Sequence, residues 1–353
     1  MRKDLVKRIV VRAPNWIGDA VMCTPALLAL RDLFPFSEIT LLARPPVADL
    51  LTGHPSIDRI LVYEHQGRHA GVLGKIALIR TLQRNGFDFA VLLQNAFEAA
   101  LWMYLAGVPE RYGYSTDGRG FLLSRSIPKP PHTHDLHQVW YYQALIHALD
   151  RDVPSYAPTL VISEDEEARV SEKLTQFSIK DSDVLIGLNP GSMYGGAKRW
   201  LPDRFAETAD RLVEELGSRP STNGKVYCVI VGAPGEEGLG RSIAERMRTK
   251  PVVLSGQTSL RELMAIIKRC RLFLTNDTGP MHIASAFGVP LVAVFGPTNP
   301  RATAPVGEGH TVVRHPVTCS PCLLRECPID HRCMTKISVE EVYHAAVPHL
   351  GGC

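Results

Sequence analysis

The side chains with the clearest potential to bind a charged ligand lie in a polar turn in the last third of the sequence. Residues 272–275 and 291–295 are short apolar runs, as expected of strands that are buried on both faces. Between them, the Asn-Asp-Thr-Gly turn at 276–279 precedes a helix of about two turns that opens with Pro280. A helix N-terminus surrounded by such groups favours an anion, so the turn predicts a seat for a nucleotide diphosphate. An ordinary strand–helix–strand crossover with a capping side chain is an equally good interpretation of this stretch alone.

Polar turns also follow other predicted strands. In the first half, Asp19 closes a tight loop at the mouth of a strand-to-helix connection, where doubly wound folds bind ligands. In the second half, Lys198 ends a glycine-containing loop that begins with Ser192, and a flexible ammonium beside open backbone N–H groups suits a phosphate. A solvated loop lysine would show the same pattern. The turns of this kind are 15–19, 192–198, 232–237 and 296–298.

The elements that must position these turns alternate between apolar strands and amphipathic helices in both halves. This alternation predicts α/β architecture with parallel sheets, and a length of 353 residues favours two domains. A Pro-containing linker at 152–158 places the boundary, so the predicted domains are 1–155 and 156–353. Predicted strands are 8–12, 39–43, 57–63, 89–93, 111–114, 184–188, 227–231, 252–254, 272–275 and 291–295. Predicted helices include 20–33, 73–85, 98–105, 135–149, 164–176, 202–216, 259–268 and 338–349.

Composition and missing motifs exclude several function classes. The chain is 45% hydrophobic and 21% charged with a net charge of +3, which is no signature of nucleic-acid binding. Residues 1–152 carry 17 basic and 14 acidic side chains, so the remainder is neutral at 22 of each. This small excess suits an acidic partner or a bilayer surface, although chance explains it equally well. No GxGxxG follows a strand and no Walker A or nucleophile elbow occurs, which argues against hydride and P-loop phosphoryl transfer.

No export signal or membrane-spanning run is visible, so we expect a cytoplasmic protein. Eight cysteines are present, and structural disulfides are not expected in that compartment. Four of them form a Cys-x2-Cys-x4-Cys-x5-Cys cluster that resembles a structural zinc site, with His315 and His331 as alternative ligands. Free thiols are an equally good interpretation, and oxidation-sensitive pairs are a third. The four clustered residues are Cys319, Cys322, Cys327 and Cys333.

A basic, loop-like tract at 118–131 precedes a histidine-rich segment. The tract contains Arg119, Arg125 and Lys129, and histidines follow at 132, 134 and 137. A cluster of histidines suggests a metal, but nothing nearby completes a site. A role in holding an acidic acceptor is the better prediction.

Four segments of the sequence resemble the heptosyltransferases of glycosyltransferase family 9. They are VRAPNWIGDAVMCTPALLALRDLFP at 11–35, LNPGSMYGGAKRWLPDRF at 188–205, VIVGAPGEE at 229–237 and FLTNDTGPMHIASAFGVPLVAVFGPTNP at 273–300. The resemblance implies a GT-B fold, with two Rossmann-like domains facing each other across a cleft. It places the acceptor on 1–155 and the nucleotide sugar on 156–353. The implied reaction transfers heptose from ADP-heptose to the heptosyl-Kdo2-lipid A inner core of lipopolysaccharide, with inversion at the anomeric carbon.

The same resemblance assigns roles to individual residues. Asp19 becomes the general base that activates the acceptor hydroxyl, and Lys198 becomes a ligand of the diphosphate. The resemblance also implies peripheral contact with the cytoplasmic face of the inner membrane. No Asp-x-Asp carboxylate pair follows a predicted strand, so we expect that no catalytic metal is needed. The resemblance does not decide whether Glu236 or Glu237 contacts the nucleotide. The predicted donor-binding residues are Ser192, Lys198, Glu236, Glu237, Asp277, Thr278, Gly279 and His282.

Two alternatives are kept beside this interpretation. One is a related family 9 transferase that uses another nucleotide sugar or acceptor hydroxyl, including the first or third heptose transfer. The other is a sugar-nucleotide-binding protein without catalysis. Such a protein would not need the carboxylate of Asp19 at the ligand-binding edge.

Overall fold

The apolar runs of the sequence form the strands of two separate parallel sheets. The computed structural model describes residues 5–131, 133, 135–220 and 222–351. The chain divides into an N-terminal unit, residues 1–161, and a C-terminal unit, residues 162–353. The sequence placed a domain boundary between 155 and 156. Each unit contains a six-stranded sheet whose paired strands are all parallel, which confirms the predicted α/β class.

The N-terminal sheet has the strand order β3-β2-β1-β4-β5-β6. The order reverses between β1 and β4, and such a switch point is where doubly wound sheets bind ligands. The strands are β1 Arg8–Arg12, β2 Glu38–Ala43, β3 Arg59–Val62, β4 Phe89–Leu92, β5 Glu110–Tyr114 and β6 Arg125–Ile127. The helices are α1 Ile17–Met22, α2 Thr24–Leu33, α3 Pro45–Leu50, α4 Gly71–Asn85, α5 Phe97–Leu105 and α6 Gln138–His147.

Two helix starts of this unit differ from the sequence-based prediction. The sequence allows two interpretations of 20–33, a helix opened by Asp19 and kinked at Pro25, or a helix that starts at Thr24 and Pro25. The structure contains two helices, because the chain breaks at Cys23 and places Pro25 in the first turn of α2. The helix expected from 135 begins at Gln138, where the ring nitrogen Nδ1 of His137 accepts the Val139 N–H at 3.2 Å. His132 and His134 lie outside the described residues.

The C-terminal sheet repeats the topology with the order β12-β11-β10-β7-β8-β9. Its order reverses between β7 and β10, the two strands at the centre. The strands are β7 Val184–Asn189, β8 Val226–Ile230, β9 Val252–Val253, β10 Cys270–Asn276, β11 Leu291–Phe295 and β12 His310–Arg314. The helices are α7 Glu164–Thr175, α8 Pro202–Gly217, α9 Glu237–Arg246, α10 Leu260–Arg269, α11 Gly279–Ala286, α12 Pro300–Thr303, α13 Arg332–Thr335 and α14 Val339–Ala346.

The core of the C-terminal unit joins the end of the chain to the middle of the sheet. Trp200 is buried, and its indole N–H donates to the Ile337 carbonyl oxygen at 3.1 Å. Val342 and Ala346 of α14 belong to the same apolar cluster as Ile186 in β7. Strands β6 and β12 were missed by sequence analysis, since each is a short edge strand whose residues are mostly only half-buried. Within the described part of the chain, no helix is both long and apolar enough to cross a bilayer.

Close approach of the two central strands requires a glycine at position 187. A Cβ atom there would lie 2.5 Å from the Phe273 ring and 2.8 Å from the Cys270 sulfur. Because both neighbours are buried, we expect Gly187→Ala to lower the free energy of unfolding by about 1–3 kcal/mol. Urea denaturation measures this change. The control is Gly238→Ala in α9, where a Cβ meets nothing within 4 Å. Equal unfolding midpoints for the two variants would show that β7 and β10 move apart at no cost to accommodate the added methyl group.

Candidate functional site

Sheet topology brings the polar turns of the C-terminal unit to one edge. The turns that follow β7, β10 and β11 lie side by side, because these strands are neighbours and run parallel. They contain the loop at 190–201, the Asp277-Thr278 pair and the turn at 296–299. The predicted anion site therefore lies at the switch point of the sheet. We call this the donor-side edge.

Two buried asparagines hold the donor-side edge together. The side-chain amide of Asn276 donates to the Pro190 carbonyl oxygen at 2.8 Å, and its oxygen accepts the Trp200 N–H at 3.1 Å. The amide of Asn189 donates to the Thr278 hydroxyl oxygen at 2.9 Å. The sequence analysis did not assign a role to either amide, although both asparagines end central strands. Their hydrogen bonds fix the loop at 190–201 against β10.

Lys198 and Asp277, predicted as donor-binding residues, form an ion pair at this edge. The Lys198 Nζ lies 2.7 Å from Asp277 Oδ2, and it also donates to the Asp277 carbonyl oxygen at 3.1 Å. The Thr298 hydroxyl donates to the same carboxylate oxygen at 2.6 Å. The ammonium also lies 4.8 Å from the centroid of the Tyr194 ring. Three contacts therefore restrain a side chain that would be highly flexible if it were solvated, and Thr298 fixes the carboxylate that makes one of them.

The N-terminus of α11 follows this ion pair directly. Thr278 is the N-cap residue, Gly279 is the first helical residue, and Pro280 lies in the first turn. Their peptide dipoles place partial positive charge beside the Lys198 ammonium. His282 is buried in the same turn at 6% exposure. The structure thus brings four of the predicted donor-binding residues to one helix start next to the lysine.

Ser192 and Glu236 extend the same edge toward the turn after β8. The Glu236 carboxylate is buried and accepts the Ser192 N–H at 2.8 Å and the Ala233 N–H at 2.9 Å. A Cβ atom at Gly191 would lie 2.1 Å from this carboxylate, so only glycine fits there. Ser192 is 4% exposed, and its hydroxyl has no hydrogen-bond partner in the described part of the chain. A buried hydroxyl of this kind is suited to bind a ligand.

Glu237, the second acidic residue, has a different environment. Its carboxylate accepts the Gly235 N–H at 3.0 Å, and the backbone amides of Glu237 and Gly235 lower the pKa of its carboxyl group. Glu237 is only half-buried, whereas Glu236 lies under the loop. The two neighbours predicted as one acidic pair are thus a buried brace and a more accessible carboxylate.

Asp19 belongs to the N-terminal unit, in the first turn of α1. This helix follows β1 at the switch point of the N-terminal sheet, as the sequence predicted. The Asp19 charge lies close enough to two buried groups to raise the pKa of each, after burial itself as the main cause. These groups are the Cys23 thiol and the Tyr142 phenol. Asp19 is half-buried and lies at the carboxyl edge of the sheet.

Two buried arginines stabilise the loops at the same edge, a role that the sequence did not indicate. Arg12 at the end of β1 donates to the Asn15 side-chain oxygen at 2.7 Å and to the Ala13 carbonyl oxygen at 2.6 Å. Arg119 donates to the carbonyl oxygens of Gln94 and, at 3.0 Å, of Tyr114. Burial is the main cause that lowers the pKa of each arginine to about 10. Arg119, which belongs to the basic tract at 118–131, is fully enclosed, so its side chain braces backbone carbonyls and does not face solvent.

The four clustered cysteines do not form a metal site. All four line one cavity of about 100 Å³, together with His331. Cys333 is buried while Cys319 and Cys322 are exposed, and burial followed by the charges of the other three raises the pKa of the Cys333 thiol to about 11. Over the described ranges, no group of three or more His, Cys, Asp or Glu side chains is arranged to hold a metal ion. The predicted structural zinc site therefore has no support in the geometry.

Both the sequence and the fold of the chain resemble those of known proteins. The sequence model of Glycosyltransferase family 9 (heptosyltransferase) matches residues 75–332. The lipopolysaccharide heptosyltransferase 2 of Escherichia coli K12 is 29% identical over 319 residues, covering 87% of this chain and 88% of that protein. The structure of E. coli ADP-heptose lps heptosyltransferase II matches with a TM-score of 0.80 and 27% identity, covering 97% of this chain and 98% of that one. A family 9 glycosyl transferase from Veillonella parvula reaches 0.86 at 27% identity, covering 98% and 97%. These similarities confirm the predicted GT-B fold class.

The contrast between the two glutamates can be tested by conservative substitution. In Glu236→Gln, the new amide group replaces an acceptor of a buried N–H, so we expect the free energy of unfolding to fall by about 1–3 kcal/mol. Glu237→Gln is the matched control and should leave stability within about 0.5 kcal/mol of the parent. Thermal melts of both variants measure the difference. If Glu236→Gln melts with the parent protein, the carboxylate does not brace the loop.

Proposed function

The chain belongs to glycosyltransferase family 9, the heptosyltransferase family, and from this premise we propose that it transfers heptose from ADP-heptose to the inner-core heptose of lipopolysaccharide. The relatives support the substrate class, since the E. coli proteins are named as a lipopolysaccharide heptosyltransferase and as an ADP-heptose heptosyltransferase. The observation that carries the proposal is the Lys198 ammonium held at the start of α11. An ammonium beside a helix N-terminus is a binding site for a diphosphate.

The donor-side edge would stabilise the leaving group. As the bond between the anomeric carbon and the diphosphate oxygen breaks, negative charge builds on ADP. Lys198 and the peptide dipoles at Gly279 offset this charge without reorganising, because Asp277, itself held by the Thr298 hydroxyl, already fixes the lysine. The unpartnered Ser192 hydroxyl is a further donor to the phosphate oxygens. Glu236 and Glu237 are both candidates for the ribose hydroxyls, as carboxylates readily accept such hydrogen bonds.

Asp19 would act as the general base. Its carboxylate takes the proton of the acceptor hydroxyl, whose oxygen forms the new bond to the anomeric carbon while ADP departs with the bonding electrons. The sugar passes through an oxocarbenium-like state, as in glycoside hydrolysis. Attack from the face opposite ADP inverts the anomeric configuration. The chemistry that the chain itself must supply is thus a base, a diphosphate clamp and an acceptor-binding surface.

Removal of the base tests the acceptor half of the mechanism. We expect Asp19→Asn to reduce transfer by about 10²- to 10⁴-fold, because general base catalysis contributes that range. Binding of ADP, measured by calorimetry, should stay within twofold of the parent value. The matched control is Asp165→Asn, an exposed acid in the first turn of α7. Turnover retained in Asp19→Asn would exclude this residue as the base.

Ligand-induced stabilisation tests the donor half. At about 100-fold above its dissociation constant, a ligand of the native state adds about 2.7 kcal/mol to the free energy of unfolding, and we expect this from ADP-heptose. Lys198→Ala should weaken ADP binding by about 10- to 100-fold, since hydrogen bonds to charged groups contribute about 1.5–3 kcal/mol. Asp277→Asn should act in the same direction by releasing the lysine.

Lys250→Ala is the control for loss of a surface lysine, and should bind as the parent does. A panel of nucleotide sugars completes the test. Stabilisation by UDP-sugars without any by ADP-sugars would refute the proposed donor.

A further inference from the structure

Five large apolar side chains form an exposed rim on the N-terminal unit. Their residues are between 36% and 82% exposed, although this unit has an apolar core of its own. Three of them lie in the first two turns of α4, one opens α5, and one lies in the short 3-10 turn Gly120–Leu122. We call this set the apolar rim: Val72, Leu73, Ile76, Phe97 and Phe121.

The members of the apolar rim are neighbours because their elements follow neighbouring strands. The rings of Phe97 and Phe121 have centroids 6.1 Å apart. The ion pair between Lys75 and Glu98, at 2.9 Å, joins the first turns of α4 and α5. These elements follow β3, β4 and β5, whose carboxyl ends share one edge of the sheet with β1. The apolar rim therefore lies on the edge that carries Asp19.

Positive charge surrounds the apolar rim. Residues 65–87 contain four basic side chains, Arg68, Lys75, Arg80 and Arg84, and no acidic one. Arg80 and Arg84 are exposed, and they continue the face of α4 that begins with Leu73 and Ile76, at the spacing of helical turns.

Three carboxylates next to the apolar rim are already engaged. Glu64 pairs with Arg68 at 3.3 Å, and Glu98 pairs with Lys75. Asp117 accepts the Phe97 N–H at 2.7 Å. The exposed arginines of α4 therefore face solvent beside an apolar surface that carries little opposing charge.

We propose that the apolar rim and the arginines of α4 dock the N-terminal unit on a lipid bilayer with anionic headgroups. Exposed apolar side chains at one end of a helix and arginines along the same face are typical of interfacial helices, which bury the former and bind headgroups with the latter. The proposal rests on the proposed function in one respect, because a lipid-linked acceptor is what the bilayer would present. Docking by this edge places Asp19 on the side of the unit from which such an acceptor arrives.

Vesicle sedimentation of the full chain tests the docking surface. We expect binding to vesicles of phosphatidylethanolamine with phosphatidylglycerol, and little binding to phosphatidylcholine alone. The combined substitution V72S, L73S and I76S removes apolar area, and R80E with R84E reverses the charge. Each should weaken binding to the anionic vesicles by more than tenfold, and added salt should weaken the parent protein. Phe36→Ser is the matched control, since Phe36 is 99% exposed in the same unit but lies outside the apolar rim.

Activity separates this proposal from the proposed function. In the apolar-rim variant, transfer to a delipidated, water-soluble acceptor and ADP affinity should match the parent, while transfer to an acceptor embedded in vesicles should fall at least tenfold. Unchanged melting temperatures confirm that the variants are folded. Loss of transfer to every heptosyl acceptor, with vesicle binding intact, would refute the function and leave the docking surface standing.

Two results would overturn the docking proposal. One is a parent protein that fails to bind anionic vesicles. The other is a change of oligomeric state in the apolar-rim variant, measured by analytical ultracentrifugation, with vesicle binding unchanged. The second result would show that the apolar rim is an interface between copies of this chain.

Discussion

The ion pair between Lys198 and Asp277 is the interaction on which the donor-side edge depends. A buried pair is stabilising only when its geometry is good and the remaining hydrogen-bonding capacity is used, because both charges lose hydration. Here the carboxylate also accepts the Thr298 hydroxyl, and the ammonium also binds a carbonyl oxygen. The pair therefore holds a positive charge in a fixed place. Preorganised charge of this kind stabilises a departing diphosphate more effectively than a mobile lysine does.

The rest of the edge is arranged so that this ion pair can form. Asn276 holds both ends of the loop that carries Lys198, and Glu236 binds the same loop from its other side. Gly187 and Gly191 allow close approach where any larger residue would clash. In the N-terminal unit, Arg12 and Arg119 stabilise the loops by donating hydrogen bonds to carbonyl oxygens at the strand ends. In both units, backbone loops at the switch point are fixed by buried polar side chains, as expected where unpaired backbone groups would otherwise be left.

Each of the two units carries predicted site residues at the carboxyl edge of its own sheet. One sheet edge presents a carboxylate at the start of α1, and the other presents a cation at the start of α11. Under the proposed function a lipid-linked acceptor would be presented at a bilayer surface, and the apolar rim is the proposed contact with that surface.

The sequence by itself determined the class of fold and the turns that carry the predicted site residues. Alternating apolar strands and amphipathic helices are local patterns, and so are Asn-Asp-Thr-Gly before a helix and the glycine loop before Lys198. Short edge strands such as His310–Arg314 were not predicted, because they lack a strong apolar run. Only the tertiary structure decided which turns meet. Lys198 and Asp277 are 79 residues apart, and parallel pairing of β7 with β10 brings them into contact.

The tertiary structure also decided which charged groups are buried and how the cysteine thiols are arranged. Arg119 and Glu236 are buried braces, although their local sequences are those of solvated turns. The cysteines from 319 to 333 have a spacing suited to zinc, yet the folded chain does not arrange them as ligands. Burial and ligand geometry depend on contacts between distant segments, and no pattern within fifteen residues encodes them. Periodicity fixes which elements form, and strand order fixes which side chains can act together.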